Sequence, residues 1–211
     1  MDQPFRIIDI SRPAGPETAP WPGDTPFELI FPASRKKGDT ITVGSVRMST
    51  HFGTHLDAPM HFADSDITIE RIPLHVVCGT VLIVESLGSE EIVLPDHLEL
   101  PKRVLFRTGG WPKHGRFPQH IPTLSLATVE KLANAGVQLV GVDLPSVDQL
   151  DSQDLPIHHA LFGAGIFILE SLWLEAVWPG RYHLIALPIK LIGADAAPVR
   201  AALLPEPTVG D

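Results

Sequence analysis

The chain has 211 residues, a formal charge of −9 and one cysteine. That length suits one domain covering 1–211, with enough apolar residues to bury a core without staples. An intrachain disulfide is excluded, and an acidic chain with 16 Lys and Arg argues against binding a nucleic-acid backbone.

In chain order, residues 5–10 read as a short strand. Prolines at 4, 13, 16, 20, 22, 26 and 32 disfavour a long helix in the first third. Residues 38–50 alternate in polarity and are rich in β-branched side chains, which predicts one or two strands. Cys78 sits in an apolar run and is expected to be a buried core thiol. Residues 79–85 and 103–108 are two more strands. Residues 125–136 read as a helix, with Ser125 as cap, Gly136 as stop, and Leu126, Val129, Leu132 and Ala133 on its inner side. The apolar strand at 137–143 follows at once, a helix-to-strand step resembling half of an α/β unit. Residues 166–169 and 182–187 are the last buried-strand candidates. The fold class is therefore α/β, richer in strand than in helix. No apolar run approaches the ~18 residues of a membrane span. Residues 1–13 carry no apolar signal core, so the expected compartment is the cytoplasm.

Chemistry concentrates in His51-Phe52-Gly53-Thr54-His55-Leu56-Asp57-Ala58-Pro59-Met60-His61. Imidazole and carboxylate together suit zinc or manganese. A helix would turn Asp57 away from His51, and Gly53 and Pro59 oppose one. A strand points 51, 55 and 57 one way, but full extension separates 51 from 55 by about 13 Å. A bend at Gly53 brings them together. Asp143 and Asp148 are candidate acceptors for ligand histidines, with turn chemistry as the competing explanation. His75, His97, His114, His120 and His183 lack partner spacing and read as surface or structural histidines. No Gly-x-Ser-x-Gly elbow and no Gly-x-Gly-x-x-Gly phosphate loop is present.

The histidine segment resembles the signature of the cyclase-like metal hydrolases, the family of bacterial kynurenine formamidases (arylformamidases). Trp21-Pro22-Gly23-Asp24-Thr25-Pro26-Phe27 resembles that branch's upstream motif. So do residues 141–148, His158-His159-Ala160-Leu161, Ile168-Leu169-Glu170, and residues 184–190 leading to Ala197-Pro198-Val199-Arg200. The resemblance runs from about residue 5 to residue 204. It implies a mixed sheet with a β-barrel-like core and flanking helices, assembled as a homodimer or larger.

It also implies site roles. His51, His55 and Asp57 would hold a first zinc, and Asp57 would bridge to a second zinc held by His158 and Glu170. Manganese is the alternative metal. His159 is the rival to His158, which the family pattern favours by its distance from the glutamate. His61 would carry the proton, and Trp21 would line an aryl pocket for a small-molecule aryl amide. The implied reaction converts N-formyl-L-kynurenine and water to L-kynurenine and formate, in tryptophan breakdown. Two alternatives stand beside it: a sister hydrolase opening a cyclic amide such as isatin, and a non-catalytic metal-binding module. The glycine-rich stretch 107–117 departs from the formamidase pattern and bears on that choice.

Overall fold

The computed structural model describes residues 7–112 and 116–206. Its strands and helices, in chain order, are β1 (Ile8–Asp9), β2 (Glu28–Ala33), β3 (Val43–Arg47), β4 (His55–Asp57), β5 (Cys78–Glu85), β6 (Glu91–Ile92), β7 (Arg103–Arg107), β8 (Thr123–Leu124), α1 (Leu126–Asn134), β9 (Leu139–Val142), α2 (Pro156–Gly163), β10 (Phe167–Glu170), β11 (Gly180–Ile185), β12 (Ala196–Pro198) and β13 (Ala202–Pro205). Nine strands form one mixed sheet in the order β1-β13-β11-β5-β7-β9-β10-β4-β12. The central run β5-β7-β9-β10 is parallel, and α1 and α2 are the crossovers into β9 and β10.

Period-two alternation divides the apolar side chains between two cores. Leu105, Leu139 and Leu169 face one cluster, while Val104, Phe106, Val140, Val142 and Ile168 face the other. The first cluster also draws Ile83 from β5, Leu184 from β11, Leu203 from β13, Leu56 from β4 and Ala197 from β12. Strands from both edges reach one core only if the sheet curls around it. The second cluster is capped by Val129 and Leu132 of α1 and Ile157 and Leu161 of α2. These are the expected α/β class, barrel-like core and flanking helices.

The expected strands at 79–85, 103–108, 137–143 and 166–169 correspond to β5, β7, β9 and β10 within a residue or two. The expected strand at 5–10 is seen as Ile8–Asp9, and Phe5 and Arg6 lie outside the described residues. The last expected strand sits two residues earlier, at 180–185. In α1, Ser125 caps as read, its Oγ accepting from the Thr128 N–H at 3.2 Å. Leu126, however, is 60% exposed; the helix rolls so that Thr128, Val129 and Leu132 are buried.

The β2–β3 ribbon was only half legible: β3 falls inside 38–50, and β2 lies among the prolines. Among the described residues it pairs with nothing else, and it leaves Leu29, Ile30, Phe31 and Val46 about half exposed. Cys78 is another correction. It starts β5 half-buried, with its sulfur 3.8 Å from His183 Nε2, so it is not an enclosed core thiol.

Candidate metal centre

Strand register assembles the site. β4 lies between β10 and β12, with Glu170 opposite His55 and Ala196 opposite Asp57. Residues 55 and 57 share a face, and Leu56 turns into the core behind them. His51 reaches the same point because Gly53 adopts a left-handed φ of +71°, and the His51 and His55 rings come within 4.9 Å. A brace holds that bend: Thr54 Oγ1 accepts from the Arg12 N–H at 2.7 Å and donates to the Ser171 carbonyl at 2.6 Å.

α2 supplies the fourth side. Asp148 accepts from the backbone N–H groups of Ile157 and His158 at 2.9 and 3.0 Å, and contacts His158 Nδ1 at 2.7 Å. One carboxylate thus caps the helix and aims the imidazole inward. His158 is buried, whereas His159 is exposed and turns away from the cluster. Gly163-Ala164-Gly165 ends the helix, and β10 returns to present Glu170. Asp143 does something else: it accepts from the N–H groups of Thr108 and Gly109 and the Thr108 hydroxyl, pinning the loop after β7.

The five expected ligands converge. Asp57 Oδ1 is 3.1 Å from His51 Nδ1 and 3.3 Å from His55 Nε2. Its other oxygen is 3.9 Å from His158 Nε2, which is 3.6 Å from Glu170 Oε1. Two donor groups result, His51–His55–Asp57 and Asp57–His158–Glu170, each compact enough to hold a metal ion and sharing Asp57. Among the described residues, His55 Nε2 and both Asp57 oxygens are buried with no hydrogen-bond partner. Such orphaned groups cost about 1–3 kcal/mol each. A divalent cation among them satisfies all three, so the donor set fits a metal.

The charges respond to this crowding. Burial pulls His51 and His55 down, but carboxylates outweigh it. Asp195 and Asp57 push His51 up to about 9, and Asp57 and Glu170 push His55 up to about 10. Burial opposes ionisation of Asp57, yet His55 and His51 hold it well below the usual carboxylate range. Burial and the Asp57 charge raise Glu170. His61 is different: burial holds it below its ordinary value against the pull of Asp57. Its ring lies 4.0 Å from that of His51, 35% exposed at the cavity wall.

The cluster floors a cavity of about 390 Å³, whose walls include Trp21, Trp111, Phe117, Ser146 and His61. Trp21 meets Phe117 edge-on with centroids 5.4 Å apart, and both rings stand in that wall. Phe117 belongs to the 107–117 stretch, and Lys113, His114 and Gly115 of that stretch lie outside the described residues. Arg12 stacks 3.8 Å over Trp111 and donates to its carbonyl at 2.7 Å, which fixes that wall. Sequence reasoning missed Asp195. Its carboxylate sits 3.1 Å from His51 Nε2 and 3.8 Å from His61 Nδ1. A lone aspartate between alanines carries no spacing signal; only the β4–β12 register reveals it.

The comparisons agree with this geometry. The putative cyclase family matches residues 8–149. A kynurenine formamidase of Salinibacter ruber is 44% identical over 208 residues, covering 95% of this chain and 98% of that protein. Among solved structures, a potential metal-dependent hydrolase with cyclase activity superposes with a TM-score of 0.81 at 27% identity, over 97% of this chain and all of the other. Isatin hydrolase A from Labrenzia aggregata shares the fold at a TM-score of 0.80 and 22% identity, over 95% and 94% of the two chains. Matched through its histidine segment and across most of its length, the chain belongs to the putative cyclase family.

Proposed function

We propose that this protein is a metal-dependent amidohydrolase that cleaves N-formyl-L-kynurenine to L-kynurenine and formate. The observation that carries the reading is the pair of donor groups sharing Asp57, with orphaned buried atoms, at the floor of an aromatic-walled cavity. Identity of 44% to a kynurenine formamidase supports the substrate, ahead of the cyclic amide of the more distant isatin hydrolase.

His51, His55 and Asp57 would hold a first zinc, and Asp57, His158 and Glu170 a second. A bound divalent cation activates water at neutral pH and polarises the scissile carbonyl. Trp21, Trp111 and Phe117 receive the aryl ring and keep bulk water from it. His61, whose pKa burial lowers, would take the proton of the attacking water at its imidazole and return it to the aniline nitrogen as the C–N bond breaks. An aryl amide nitrogen leaves poorly as an anion, so this transfer is needed. The same reading carries a homodimer or larger assembly, supported by the exposed apolar side chains of the β2–β3 ribbon. It also carries the cytoplasmic location expected from the sequence. Among the described residues no helix is long and apolar enough to cross a membrane.

The test is hydrolysis of N-formyl-L-kynurenine by zinc-loaded protein, with a chelated control and isatin alongside. Chelator-sensitive release of kynurenine is expected. Turnover of isatin alone would reassign the substrate. His61→Ala should keep the metal and lose about 10²–10⁴ in turnover; unchanged turnover would remove His61 from its role.

A further inference from the structure

The three inward-facing histidines share a design. Each imidazole has two nitrogens, and a metal ligand uses one while the other donates to a fixed acceptor. His55 Nδ1 is 2.9 Å from the Gly53 carbonyl, and His158 Nδ1 is 2.7 Å from Asp148, so both turn Nε2 toward the carboxylates. His51 is reversed: its Nδ1 faces Asp57 Oδ1 at 3.1 Å, and its Nε2 faces Asp195 Oδ2 at 3.1 Å.

We propose that Asp195 is a positioning residue that fixes the tautomer and direction of His51, so that Nδ1 carries the lone pair aimed at the metal centre. The inference rests on the metal-binding reading above. Asp195 is itself held. Its Oδ1 accepts from the Thr50 hydroxyl at 2.9 Å, and its backbone carbonyl accepts from the Ala58 N–H at 2.8 Å, just beyond β4. Its carboxylate is therefore fixed from two sides before His51 reaches it. The oxygen that faces His51 also lies 3.8 Å from His61 Nδ1, and the two rings lie against each other at 4.0 Å. Asp195 thus ties the expected ligand to the expected proton carrier. Remove it, and His51 is free to place its proton on Nδ1, which blinds that nitrogen to a cation.

The experiment compares wild type, Asp195→Ala, Asp195→Asn and Thr50→Val by zinc affinity in chelator competition and by the absorption spectrum of cobalt-substituted protein. Unfolding midpoints of the metal-free proteins control for folding. Asp195→Ala should weaken zinc binding about 10–100-fold and alter the cobalt bands. Asp195→Asn keeps an acceptor for Nε2–H, so its affinity should return to within a few-fold of wild type with wild-type bands. Thr50→Val should lie between. Wild-type zinc affinity and an unchanged cobalt spectrum in Asp195→Ala would overturn the positioning role alone. Failure of the wild type to bind zinc or cobalt would overturn the metal reading, and this inference with it.

Discussion

Gly53 has φ +71°, and a Cβ there would meet the Arg12 carbonyl at 3.3 Å. An L side chain in that region costs about 1–2 kcal/mol, and the neighbour is backbone held by the Thr54 brace. Gly53→Ala should therefore lower stability by roughly that amount in a denaturant melt. It should also weaken zinc in chelator competition, because the bend joins His51 to His55. Tight zinc binding in a destabilised variant would separate the bend from the site. At this scale the sequence was most informative. The density of His51, His55, Asp57 and His61 announced the chemistry, and Gly53 announced the bend. His158 and Glu170 lay a hundred residues further on, and the family resemblance, not spacing, joined them to it. Asp195 was illegible, because its partner is chosen by strand pairing across 144 residues. Asp143 and Asp148 looked alike in sequence, and only the loops they hold distinguish a helix cap from a β7 anchor.

Elements were legible where burial dictates a period. β5, β7, β9 and β10 are continuous apolar runs because helices and a curled core cover both faces. The edges were harder to read. β2 hides among prolines because its own Pro32 falls where the pairing with β3 shifts register between Ile30 and Ala33, an irregularity that tolerates a residue without an N–H. β12, an Ala-Ala-Pro tripeptide, has no propensity signal, though it carries Asp195 into place. β9 shows what the tight centre demands. Gly141 lies between β7 and β10, and a Cβ there would fall on Leu105 Cδ2, with Leu172 Cδ1 at 2.9 Å and the Leu169 carbonyl at 3.3 Å. Overpacking of this kind costs about 1–3 kcal/mol. Gly141→Ala should lower the unfolding free energy by that amount, without abolishing zinc binding in protein that remains folded. An unchanged melt would mean that the two leucines repack freely, against the close packing of the core they share.

For the whole molecule, metal and pH are coupled through the same buried groups. In the metal-free protein His51 is raised to about 9 and His55 to about 10, above the ~6.5 of an unfolded chain. A raised pKa means that the folded state binds the proton more tightly. The contribution to stability is full below pH ~6.5 and is lost as pH climbs through about 9. Binding a cation reverses the sign, because the ligand nitrogens must be neutral. Metal affinity then grows with pH by up to tenfold per unit for each proton released, about 1.4 kcal/mol. Stability of the loaded protein follows affinity at fixed free metal. The gap between zinc-loaded and chelated unfolding temperatures should therefore widen from pH 6.5 to pH 9. Thermal melts in metal-buffered solution across that window check it. A constant gap would mean that neither histidine is protonated before the metal arrives, and that the orphaned Asp57 oxygens meet another counter-charge.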